Sequence, residues 1–167
     1  MNFSNRVCQT LHDEHAATVA LLERLQQLLS RNQEGAPPKA ADSTITRLLT
    51  DLAAGLGTEI DRHFAFEEDH LFTYLAEMGN GGIGAQLTRE HRMILPVGSR
   101  VAEIARAVAG RDFTQAEWDE FARLGRQLVD QLAVHAQKED MALLPMIEDN
   151  MDPETEARLY QEYVENM

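Results

Sequence analysis

The sequence predicts an all-α protein, an up-down-up-down four-helix bundle with an internal pseudo-twofold repeat and a short C-terminal helix. Three observations predict it. Four long stretches carry apolar residues at helical spacing, and short runs rich in glycine, proline or aspartate separate them. His63-Phe64-Ala65-Phe66-Glu67-Glu68-Asp69-His70-Leu71 aligns without gaps on His135-Ala136-Gln137-Lys138-Glu139-Asp140-Met141-Ala142-Leu143. Glu14-His15 precedes the first copy and Glu90-His91 the second. Each half of the chain is therefore a helix bearing Glu-His followed by a helix bearing His-x3-Glu.

The first helix is expected from about Ser4 to Arg31. Leu11, His15, Val19, Leu22, Leu25 and Leu29 share one stripe, and Gly35-Ala36-Pro37-Pro38 breaks the pattern. Asp42 or Ser43 is the expected N-cap of the second helix. Its stripe runs Ile45, Leu48, Leu49, Leu52, Leu56, Ile60, His63, Glu67, Leu71 and Tyr74 or Leu75, so His63 and Glu67 stand where leucine is expected. Gly55 and Gly57 inside this stripe signal a close helix approach or a local bend, and Gly79-Asn80-Gly81-Gly82 a stop.

The third helix is expected from Ile83 to Ala109, with Leu87, His91, Ile94 or Leu95, Val101, Ile104 and Val108 facing inward and a kink before Pro96. Thr114 and Glu117 form a capping box that starts the fourth helix. Trp118, Phe121, Leu124, Leu128, Val129, Leu132, His135, Glu139 and Leu143 or Met146 lie on its inner face, and Pro145 bends its last turn. Asp152-Pro153 opens a final helix, in which Leu159, Tyr160 and Tyr163 form a docking face. The expected organisation is a single domain over residues 1–167, with a core at 8–149 and the last helix at 153–167.

Composition narrows the function. The net charge of −13 opposes binding to nucleic acid or to anionic membrane surfaces. The lone Cys8 excludes an intrachain disulfide and sulfur-ligated zinc or iron–sulfur centres. No apolar signal-peptide core occurs in residues 1–10, and no stretch reaches transmembrane length, so the cytoplasm is the expected location.

Counting helix rise from the turns leaves His15 and His63 about one turn apart, about 16 residues against about 20, so that His15 can face His63 and Glu67, and the same count places His91 opposite His135 and Glu139. Across the second connection the match is looser, about 12 residues against about 8, at roughly 1.5 Å each. Buried carboxylates need a cation or a proton. Four imidazoles and two carboxylates suit two ions, each held by two histidines, with Glu67 and Glu139 bridging and an oxo, hydroxo or water bridge completing the shell. Mixed nitrogen and oxygen donors without sulfur favour iron or manganese, then zinc.

The expected metal ligands are His15, His63, Glu67, His91, His135 and Glu139. Glu14, Glu68, Glu90 and Asp140 read as solvated or as supports behind the ligands. His12 has no counterpart in the second half and reads as a partly exposed helix residue, while His70 is a candidate accessory ligand, or else a support behind the ligands or a core residue. The paired Glu-x-x-His motifs of ferritin-like di-iron bundles and the His-Glu-x-x-His motif are absent.

These motifs resemble the hemerythrin-like, HHE cation-binding family. The resemblance spans about residues 8–149 and rests on Glu14-His15, His63-x3-Glu67-Glu68-x2-Leu71-Phe72, Glu90-His91 and His135-x3-Glu139-Asp140-x2-Leu143-Leu144-Pro145. It implies a four-helix bundle around a non-haem di-iron centre that binds, senses or reacts with O2, NO or peroxide, served by an electron donor that the sequence does not identify. Leu95 stands where oxygen-carrying hemerythrins place a second histidine, and His135-x3-Glu139 replaces their His-x4-Asp. The set is closer to the branch implicated in nitrosative stress and iron–sulfur cluster repair. A metal-stabilised helical interaction module without redox chemistry is the alternative.

Overall fold

A computed structural model describes residues 1–32 and 35–167 of the chain. Helix α1 (Arg6–Arg31) starts at Asn5, whose side chain accepts from the Cys8 amide. That contact satisfies one of the amides a helix start leaves free. The second rod is built from α2 (Ser43–Ala54), α3 (Ile60–Phe66) and α4 (Phe72–Glu77), joined by π-helical turns at Gly55–Glu59 and Glu67–Leu71. Asp42 caps it by accepting from the Thr44 amide.

Both readings of the glycine pair hold. A Cβ on Gly55 would lie 3.0 Å from Leu21 Cδ2 on α1, a close approach. Gly57 leaves the helical region at φ −92° and ψ −107°, a bend. The rod ends at Gly79, with φ +85°. The Asn80 amide donates to the Leu75 carbonyl at 2.8 Å and the Gly79 amide to that of Ala76 at 3.0 Å. This is the Schellman arrangement, which only glycine enters without a Cβ penalty.

Helix α5 (Gly81–Val108) begins two residues earlier than expected (83 − 81) and continues through Pro96. The early start removes the looser match at the second connection. Glu67 to Glu77 and Gly81 to His91 are each 10 residues (77 − 67 and 91 − 81), so the two side chains come level. Helix α6 (Gln115–Lys138) opens on the expected Thr114–Glu117 capping box. A third π-helical turn at Glu139–Leu143 leads into α7 (Leu144–Asn150), with Pro145 in its first turn, where a missing amide costs least. Helix α8 (Pro153–Glu165) is capped by Asp152 and buries Leu159 and Tyr163.

Helix α1 packs on the second rod and on α6, and α5 packs on the same two, which closes the bundle. Two apolar clusters fill it. One contains Leu22, Leu25, Leu52, Leu56, Ile94, Trp118, Phe121 and Leu132. The other contains Val7, Leu11, Leu71, Leu75, Leu87, Leu143, Ile147 and Tyr163. The inward histidines and glutamates fall between them along every rod, so a polar layer is sealed at both ends by hydrocarbon. Among the described residues, no helix is long and apolar enough to cross a membrane.

Candidate metal centre

All six sequence-predicted ligands meet in this layer. They form two overlapping groups, one of His15, His63, Glu67 and Glu139, the other of Glu67, His91, His135 and Glu139. In each group the candidate ligand atoms lie within 4.8 Å of one another. Glu67 and Glu139 belong to both, and both are 0 % exposed. The His15 and His63 Nε2 atoms are 3.1 Å apart, and those of His91 and His135 are 3.0 Å apart. Glu67 reaches His63 Nε2 at 3.1 Å and His91 Nε2 at 3.3 Å. Glu139 reaches His135 at 2.6 Å, His15 at 2.9 Å and His91 at 3.5 Å.

A second ring of carboxylates holds the outer nitrogens. His63 Nδ1 lies 2.6 Å from Glu14, and His135 Nδ1 2.8 Å from Glu90. The other two pairs cross between the halves of the chain: His15 with Asp140 at 2.7 Å and His91 with Glu68 at 2.8 Å. Each half thus supports a histidine of the other, and the pattern maps onto itself under the duplication. A carboxylate at Nδ1 retains the proton there, so each Nε2 presents its lone pair to the centre.

This arrangement passes a physical test for a cation pair. Four Nε2 lone pairs face four carboxylate oxygens. All the oxygens of Glu67 and Glu139 are buried, and none accepts a well-aligned hydrogen bond from the described residues. So dense a set of acceptors needs positive charge among them. Protons are one source. Burial pushes the His15 and His91 imidazoles down, but Asp140 and Glu139 around the first, and Glu139 and Glu67 around the second, outweigh it and lift each to about 9. His63 is likewise raised against burial by Glu67 and Glu14. Burial pushes Glu139 up, yet His135, His15 and His91 hold it well below the usual carboxylate range. Metal ions are the other source, and they take the same lone pairs with the protons displaced.

The Hemerythrin HHE cation binding domain family model matches the chain twice, over residues 7–89 and 82–165. The chain belongs to this family. The two matches divide the HHE chain at its duplication: the first holds His15, His63 and Glu67, the second His91, His135 and Glu139. No curated protein and no solved structure matches it.

The remaining histidines stand apart from the layer's centre. His70 faces Glu162 on α8 at 3.4 Å and lies beside the Phe66 ring, outside both groups. His12 is half-buried with Nδ1 3.0 Å from Asp140, behind His15. Three features were not anticipated. Phe64 stacks on His91 with ring centroids 3.7 Å apart and also abuts His135 edge-on. Arg62 and Tyr163 both bond to Glu14. Both bridging-candidate glutamates begin π-helical turns. The turns had a readable signal. His63, Glu67, Leu71 and Leu75, and likewise His135, Glu139, Leu143 and Ile147, face inward in strict steps of four. On a regular α-helix each such step overshoots a turn by about 40°, and a wider π turn absorbs the drift.

Proposed function

We propose that this HHE chain is a non-haem di-iron protein that binds, senses or reacts with O2, NO or peroxide, or handles iron under oxidative or nitrosative stress. The observation that carries this reading is the convergence of four Nε2 atoms on the fully buried carboxylates of Glu67 and Glu139. His15 and His63 would hold one ion and His91 and His135 the other, with the two glutamates spanning both. The absence of sulfur from this donor set favours iron or manganese, then zinc, and the family resemblance points to iron. When bound, the pair would supply a centre that changes oxidation state and takes a small ligand.

The residues of the chain do the rest. Glu14, Glu68, Glu90 and Asp140 orient the imidazoles, and Phe64 and Phe72 cover His91. A cleft of about 750 Å³ lined by α1, the second rod and α6 reaches His15, His63, His135 and Glu139 past Ala17, Leu21, Ala54 and Ile60. It supports small-molecule access on that side. Leu95, four after His91, and the His135-x3-Glu139 spacing favour the nitrosative-stress and iron–sulfur repair branch over oxygen carriage. The buried single thiol Cys8 fits a reducing location, the cytoplasm, with an electron donor drawn from it.

The test is metal content of untagged protein, with optical spectra before and after reduction and exposure to O2, NO and peroxide. Two irons per chain, with a near-ultraviolet band that bleaches on reduction and responds to one of these ligands, is the expected result. Redox-silent zinc despite iron supplementation would instead favour a metal-stabilised helical module.

A further inference from the structure

The duplication makes Glu14 and Glu90 counterparts, each holding the Nδ1 of a histidine on the following rod. Their surroundings are not counterparts. Glu90 is braced from the surface by Lys138 at 2.6 Å, a side chain 46 % exposed. Glu14 is braced from within. Arg62 Nη2 donates to its Oε1 at 3.0 Å, and the Tyr163 hydroxyl donates to its Oε2 at 2.5 Å. The same Oε2 receives the His63 Nδ1 proton at 2.6 Å.

The Arg62 guanidinium rests on the Tyr163 ring with Cζ 4.6 Å from its centroid, and the Phe66 ring packs against the same tyrosine at 4.3 Å. Tyr163 is 1 % exposed and belongs to α8, a helix that supplies none of the six inner residues. The fourth rod has Val134 where Arg62 stands in the second, so the repeat offers no equivalent clamp. A buried phenol must hydrogen-bond, and here its partner is the carboxylate that orients a candidate ligand. Seating of α8 and placement of His63 therefore share one hydrogen bond.

We propose that Tyr163, seconded by Arg62, is a positioning residue for the ion at His15 and His63. By fixing Glu14 it aims His63 Nε2 at that ion, and it ties the docking of α8 to metal affinity on this side of the centre but not on the His91–His135 side. The inference rests on the metal-pair reading above. Groups behind a ligating histidine contribute to metal affinity by about 10- to 100-fold, and only one of the two ions has this clamp.

The experiment uses the full chain stripped of metal and titrated anaerobically with ferrous iron against a competing chelator. Tyr163→Phe keeps the ring and removes the hydroxyl, and Tyr160→Phe on the same helix is the control. The expected result is that one of two affinities weakens by about tenfold or more while the other holds. In the zinc-loaded protein, the imidazole nitrogen resonances of His63 should shift while those of His135 stay. Glu14→Gln should weaken the same ion, and adding Tyr163→Phe to it should cost nothing further, because both act through one contact. Additive losses, equal weakening of both ions, or unchanged binding by Tyr163→Phe would overturn the inference and leave the metal pair standing. Failure of the wild-type chain to take up any ion would overturn the metal-pair reading and this inference with it.

Discussion

Sharing of Glu139 between the two groups makes a quantitative prediction. Glu139 lies within 3.5 Å of three histidine Nε2 atoms drawn from both groups. Glu139→Gln preserves its shape but removes the charge and one of the two oxygens, so the ions lose their shared anionic bridge at once. Binding at hundredfold excess over the dissociation constant stabilises a fold by about 2.7 kcal/mol per site, or about 5 kcal/mol for two. In a chain of this size that corresponds to about 10–20 °C in Tm. Thermal unfolding of wild type with ferrous iron and with chelator should show this gap. Glu139→Gln should close nearly all of it and retain well under one ion per chain. His15→Ala touches one group only and should close about half. The shared-bridge geometry is refuted if Glu139→Gln retains two ions, or if it and His15→Ala lose the same single ion.

Three further outcomes are expected. In metal-free protein the His15 and His91 pKa values are lifted from 6.5 to about 9. Folded-state values above the unfolded ones stabilise fully below the unfolded pKa and lose that contribution as pH rises through the folded one. Calorimetry should therefore show metal-free stability falling between pH 6.5 and about 9 while iron affinity rises over the same window, as protons cease to compete. Gly84→Ala places a Cβ 2.8 Å from Phe72 Cβ and 3.4 Å from its Cα. Urea midpoints should fall by the equivalent of about 1–3 kcal/mol, because α4 and α5 must part. Burial, with Glu148 and Glu156 nearby, pushes the Cys8 thiol up to about 12. A disulfide reagent at neutral pH should leave it unmodified until the protein unfolds, and rapid labelling of native protein would contradict this burial.

Much of the site was legible because helix periodicity is local. His63, Glu67, His135 and Glu139 occupy stripe positions otherwise filled by leucine, and an ionisable residue at a buried position needs a partner. Counting rise from the turns was enough to set helices facing across the first and third connections within about a turn of each other. The exception was the second connection, where placing the helix start at Ile83 rather than Gly81 misjudged the offset. Helix starts depend on a few backbone hydrogen bonds around Asn80, and a run of glycines does not rank the alternatives. The π turns were also passed over, although the two runs of inward residues spaced strictly by four record them.

By itself, then, the sequence determined the fold class, the duplication, the six inner residues and the acidic character of their supports. Each is a matter of which residue type recurs at which interval along one chain. The tertiary structure alone decided which support serves which histidine. Asp140 crosses to His15 and Glu68 to His91, while Glu14 and Glu90 stay within their own halves. It also decided that Phe64 lies flat on His91, that a cleft opens beside His15 and His63, and that Tyr163 from α8 closes on Glu14. The physical reason is one of tolerance. Periodicity assigns a face to within roughly a quarter-turn of a 3.6-residue helix, whereas a hydrogen bond discriminates over a few tenths of an ångström, and that placement comes only from how the helices rotate and slide as their apolar stripes interlock.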